Sequence, residues 1–200
     1  MDRLPTFSDL VVFQAKATIF RLARLARDSR CQKWPLCPEA DSGLMLSESR
    51  SALWDRAVPH AERVLQAGKI QNLRVAVRQL DGCVVPGNRS FSFWKQVGWP
   101  GRARGYVRGR ELRQGCLIPT TGGGLCQLSN ALYDAALQAG FTILERHAHT
   151  QVVAGSLAES GRDATVFWNY VDLRFCSTQS FQIRISMTAD ELMVQLWGEA

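Results

Sequence analysis

The stretch TGGGLCQLSNALY, residues 121–133, delivers a cysteine to the start of an apolar-periodic segment directly after three glycines. Leu125, Leu128, Leu132, Ala135, Ala136 and Ala139 form the apolar stripe of a helix that stops at Gly140, a natural C′ residue. Cys126, Asn130 and Tyr133, at i, i+4 and i+7, share a separate and more polar face. Unpaired N–H groups and the helix dipole in a first turn favour an anion by up to about 2 kcal/mol when partly buried. That lowers a thiol pKa by about one unit, and a thiolate at neutral pH needs a second contributor, commonly a histidine.

Two of the three histidines stand together in LERHAHTQVV. If residues 142–153 form a strand, His147 and His149 share one face with Glu145 and Gln151, their Cα atoms about 6.5–7 Å apart. A helix packed over that strand would bring Cys126 to one imidazole. Gly122, Gly123 and Gly124, without Cβ atoms, would let a substrate approach backbone N–H groups able to hold an oxyanion. Three readings follow from the residues: a Cys-His acyl-transfer site, a zinc site with Cys126, His147 and His149 as ligands and water as the fourth, or an inert binding module. His60 follows Pro59 in a helical segment and reads as structural.

The elements that must position these groups fall into two halves. Residues 8–27 fit a helix with an apolar side at Leu10, Val11, Phe13, Ala17, Phe20 and Leu22. Arg21, Arg24 and Arg27 form a basic side that could rest on an anionic membrane surface, or simply face solvent. Residues 29–50 read as a connection, and residues 51–80 as helix broken or kinked near Pro59 and Gly68. Its inner face is expected at Leu53, Ala57, Val64, Leu65, Leu73, Val77 and Leu80. From Cys83 onward short strands and turns take over: CVVPGNRSFSFW, strands near 142–153 and 164–170, and a closing hairpin of FQIRISM and LMVQLWG. The expected class is α+β, with N-terminal helices and then a mostly antiparallel sheet packed on a central helix that begins at the GGGLCQ loop. Residues 1–50 would be an extension and connection, and 51–200 the α+β domain.

Composition narrows the partners. The 200 residues are 46% hydrophobic, enough for a sizeable core, and carry a formal net charge of +6. Only four of the 24 basic residues are lysine, and arginine suits carboxylate or phosphate partners. Five arginines and four glycines crowd residues 101–115, GRARGYVRGRELRQG, a mobile hairpin or loop beside the Cys126 segment. Arg104 and Arg108 are its candidate contacts to an anionic substrate. Few aromatics interleave with this loop and no recognition fold accompanies it, so nucleic acid is not an expected partner. MDRLPTFSDLVVFQAKATIF resembles no export signal, and no apolar run approaches a membrane span, which points to the cytoplasm and to six reduced cysteines. Cys31 and Cys37 are spaced too widely for a zinc knuckle and read as ordinary thiols.

The ordered string KIQNLRVAVRQLDG, PGNRSFSFWKQVG, GGGLCQLSNALYDAAL, ERHAHT and GRDATVFWNYVDLRF resembles the VanW family over roughly residues 65–185. The resemblance implies association with glycopeptide (vancomycin) resistance or with peptidoglycan metabolism. It also implies L,D-transpeptidase-like chemistry, because some exported proteins with a similar domain use the cysteine of the GGGxCQ motif as nucleophile. Carried onto this chain, Cys126 is the nucleophile and His147 or His149 the base. Asp163 is the group that orients the imidazole, and Gln127 or Asn130 polarises a carbonyl. The substrate would be a peptide or peptidoglycan precursor. The alternatives are a zinc-dependent hydrolase using Cys126, His147 and His149, or a non-catalytic module that binds anionic wall precursors.

Overall fold

The computed structural model describes residues 32–38, 43–55, 59–113, 116–149, 157, 159–168 and 170–198. The expected helix at 8–27, with its arginine face, lies outside them, as do Cys31 and Gln151. Within them the chain is α+β, and every strand pairing is antiparallel.

Four strands form the largest sheet, in the order β1 (Leu44–Ala52), β9 (Glu191–Gly198), β8 (Phe181–Met187), β2 (Cys83–Val85). The closing hairpin is where period-two alternation places it: Leu192, Val194 and Leu196 are buried, with more accessible residues between them. Thr188 Oγ1 closes its turn by accepting the N–H groups of Asp190 and Glu191 at 3.2 and 3.0 Å. A second sheet has the order β3 (Ser90–Ser92), β7 (Arg174–Cys176), β6 (Thr142–Glu145). A third consists of β4 (Arg108–Arg113) and β5 (Cys116–Thr121). Phe91, Phe141, Phe175 and Phe181 join the first two sheets, with ring centroids 4.8 Å apart for Phe91 and Phe175 and 4.7 Å for Phe141 and Phe181.

The helices are α1 (His60–Val77), α2 (Phe93–Val97) and α3 (Cys126–Gln138). Helix α3 buries Leu128, Ala131, Leu132, Ala135 and Ala136, and packs on β1 and β9. Ser47 of β1 seals that contact by donating to the Ala135 carbonyl at 2.8 Å. Among the described residues no helix is long and apolar enough to cross a membrane.

Several expectations are corrected. Residues 44–50, read as connection, belong to β1 in the main sheet, so the sheet begins before residue 51. Their alternation of Ser and Glu hid the strand, because Ser47 and Ser49 are its buried side. Helix α1 starts only after Pro59 and runs unbroken through Gly68. That glycine is a close-packing position: a Cβ there would lie 2.0 Å from the Arg108 carbonyl oxygen. Val64, expected inside, is 75% exposed; Leu53, Leu73 and Leu80 are buried as expected, and Gln66, Ile70, Asn72 and Ala76 are buried beside them. The strand expected over 142–153 ends at Glu145, and in place of one at 164–170 there is a single bridge between Phe167 and Val171. The arginine-rich segment is a short 3-10 turn, Arg102–Arg104, followed by the β4–β5 hairpin.

Candidate functional site

The glycine run before α3 is firstly a packing junction. Gly123 lies back to back with Gly109 of β4, and a Cβ on Gly123 would stand 2.5 Å from the Gly109 oxygen. Asn72 of α1 locks this crossing, since its buried amide donates to the carbonyls of Gly123 and Val107 at 2.9 and 3.1 Å and accepts the Val107 N–H at 2.8 Å. Gly122 and Gly124 have φ of +79° and +96°, which L side chains rarely adopt. The N–H groups of Gly122 and Gly123 are bonded to the carbonyls of Val107 and Thr120 at 3.1 and 2.8 Å. Those two amides are therefore occupied in this conformation.

Beyond the glycines, Cys126 opens α3 and its neighbours fasten a passing segment to the helix. Asn130 Oδ1 accepts the Ala164 N–H at 2.8 Å, and Ser129 Oγ donates to the Ala164 carbonyl at 2.6 Å. Thr165 N–H in turn bonds the His147 carbonyl at 2.8 Å. Three stretches of chain thus meet at the sulfur. Cys126 Sγ is 3.6 Å from Thr165 Oγ1, and a protonated thiol has the Val166 carbonyl oxygen at 3.7 Å as acceptor.

The two histidines separate. His147 has a side chain 53% exposed, its Nε2 3.8 Å from Glu145 Oε1. His149 is 22% exposed and is the histidine whose side chain acts on the Cys126 thiol to lower its pKa. Its Nδ1 lies 2.6 Å from Asp163 Oδ2, and its backbone N–H reaches the same oxygen at 2.7 Å. A carboxylate only accepts, so Nδ1 carries the proton and Nε2 is left for the sulfur.

Asp163 is 2% exposed, and a carboxylate so deep must be paired. Burial alone would raise its pKa, but the His149 N–H, the His149 ring and Arg146 hold it below the usual range. Burial likewise pushes the Cys126 thiol up, and the His149 side chain, the Val166 backbone and Thr165 together outweigh it, so this thiol is held below the ordinary value. The hydrogen bond to Cys126 raises His149 to about 9 against its own desolvation, with Asp163 adding to the effect. The favoured state is a thiolate beside an imidazolium.

Other candidate residues sit elsewhere. Gln127 Nε2 donates to Ser51 Oγ and the Ala52 carbonyl at 2.9 and 2.8 Å, tying α3 to β1. Arg104 folds back, Nη1 donating to the Val97 and Trp99 carbonyls at 2.7 and 3.0 Å, while Arg108 is exposed. Arg110, not singled out by the sequence, faces Asp55 at 3.7 Å. Among the described residues no three His, Cys, Asp or Glu side chains are grouped to hold a metal ion, and His147 does not join Cys126 and His149. Sequence reasoning also missed Thr165 and Arg146, whose only signal was their place inside the GRDATV and ERHAHT strings.

Against known proteins, residues 68–197 match the family described as VanW like protein. The chain belongs to the VanW family. Within this family it is 34% identical to the uncharacterized protein YoaR of Bacillus subtilis (strain 168) over 129 residues, 64% of this chain and 42% of YoaR. It is 27% identical to the vancomycin B-type resistance protein VanW of Enterococcus faecalis (strain ATCC 700802 / V583) over 163 residues, 78% of this chain and 58% of that protein. The chain therefore spans about half the length of these curated relatives. No solved structure matches this VanW-family chain.

Proposed function

We propose that this chain is a thiol acyltransferase acting on cell-wall peptides, with Cys126 as nucleophile, His149 as its acid and base, and Asp163 orienting the imidazole. The observation that carries the reading is the convergence of Cys126, at the first turn of α3, with an imidazole whose Nδ1 is 2.6 Å from a buried carboxylate. The relative named for vancomycin B-type resistance directs the substrate class toward peptidoglycan peptides or their precursors.

In this reading the Cys126 thiolate attacks the carbonyl carbon of a peptide bond, and the imidazolium of His149 gives its proton to the departing amine. A thioester and a neutral imidazole remain. An incoming amine, or water, then loses its proton to His149 Nε2 as it attacks the thioester; the acyl group leaves on the new nucleophile, and the thiolate and imidazolium are restored. The negative oxygen of each tetrahedral intermediate is met by the Cys126 N–H at the head of α3, because the N–H groups of Gly122, Gly123, Gln127, Leu128 and Ser129 already bond to backbone carbonyls.

Incubating the purified chain with muropeptides and measuring its intact mass tests the proposal. An acyl adduct mapped to Cys126, absent from Cys126→Ala, is expected. A reactive Cys126 that forms no adduct with any stem peptide would remove cell-wall peptides as substrates, and an unreactive Cys126 would remove the mechanism.

A further inference from the structure

We propose that Arg146 is the positioning residue that holds Asp163 in the orientation the Cys126–His149 pair requires, an inference whose catalytic consequence rests on the acyl-transfer reading. The guanidinium embraces one residue from two sides: Nη2 donates to Asp163 Oδ1 at 2.7 Å, and Nε donates to the Asp163 backbone carbonyl at 2.7 Å. Nη2 also reaches the Gly161 carbonyl at 3.1 Å. Behind it the mostly buried ring of Tyr133, one face of α3, lies 5.2 Å from the guanidinium carbon. Arg146 is thus fixed by the helix that carries Cys126 and fixes the carboxylate that serves His149.

The division of oxygens gives this arrangement its consequence. Oδ1 of Asp163 faces Arg146, while Oδ2 takes both the ring and the main-chain N–H of His149. A carboxylate pinned at one oxygen cannot swing about its Cα–Cβ bond, so the other stays aimed at Nδ1. Residues 146–149 consequently curl around Asp163 with a cation at each end, which accounts for β6 stopping at Glu145. A lysine could neutralise Oδ1 but could not also grip the backbone carbonyl in the same plane.

Neighbouring charges do not duplicate this role. Glu145 is engaged by Arg174 at 3.3 Å and by His147 at 3.8 Å. Asp134 pairs with Arg162, and Asp172 with Arg174 at 2.9 Å. Asp163 is the carboxylate that faces both His149 and Arg146.

The test is the pH dependence of Cys126 alkylation by iodoacetamide, read by peptide mass in the full chain, for the native protein, Arg146→Met and Arg146→Lys. Thermal unfolding is followed alongside. Native Cys126 should react with an inflection below the ordinary thiol value of about 8.5. Both variants should raise that inflection by about one pH unit, a tenfold smaller thiolate population at any pH below it. The imidazolium signal of His149 in proton NMR should titrate below about 9 in the same variants. If Arg146→Met does not fold, Arg146→Lys, which keeps the charge and most of the bulk, carries the comparison. A folded variant with native inflection and native His149 titration would overturn the proposal and leave Arg146 a structural clamp. An ordinary inflection in the native protein would instead bring down the acyl-transfer reading beneath it.

Discussion

One oxygen of Asp163 accepts both the ring and the backbone N–H of His149, at 2.6 and 2.7 Å. The imidazole therefore cannot turn away from Cys126 unless the main chain moves with it. Raised from 6.5 to about 9, His149 stays protonated through neutral pH, and its charge helps to hold the Cys126 thiol below the ordinary value. A group with a raised folded-state value stabilises the fold fully below its unfolded value and loses that contribution as pH climbs through the folded one. The thermal midpoint should accordingly fall as pH passes about 9, and His149→Gln should abolish that step. A native protein whose alkaline melting curve is matched by His149→Gln would contradict the ion pair.

The cysteines should differ sharply in reactivity. Cys83 is fully buried and its thiol is pushed up to about 12 by burial, whereas Cys37 is exposed. Brief alkylation at pH 7 followed by peptide mapping should label Cys126 first, Cys37 more slowly and Cys83 only after denaturant. Equal labelling of Cys126 and Cys37 would remove the activation assigned to His149.

Gly123→Ala should destabilise by about 1–3 kcal/mol, the usual range for overpacking, because its Cβ would meet backbone of Gly109 that cannot swing aside. Asn72→Ala should cost a similar amount, about 1–3 kcal/mol, by taking the side-chain partner from the carbonyl of Gly123 and the N–H of Val107, while the Val107 carbonyl keeps the Gly122 N–H. Urea unfolding midpoints measure both, and losses within error would show that the glycine junction is loose.

Chelation separates the acyl-transfer reading from the zinc alternative. Treating the protein with EDTA should leave the rate of Cys126 alkylation and the melting temperature unchanged, while Cys126→Ala should abolish adduct formation. Stoichiometric zinc lost on chelation together with activity would reverse the assignment.

Cys126 at the head of an apolar-striped helix, the glycines before it and the β8–β9 hairpin were all legible in the sequence, because each is a local pattern that chain geometry obliges. The ordered motif string carried the family for the same reason: it is a property of residue order alone. Strand β1 was not legible, since its buried side is serine and its stability comes from pairing with β9, far along the chain. Nor could spacing choose between His147 and His149. Two residues apart on a strand they would be equivalent, and the choice falls to the buried carboxylate of Asp163, around which Arg146 and His149 close while His147 turns outward. Local order determined which groups were candidates, and a long-range need to satisfy one desolvated charge decided which of them meet.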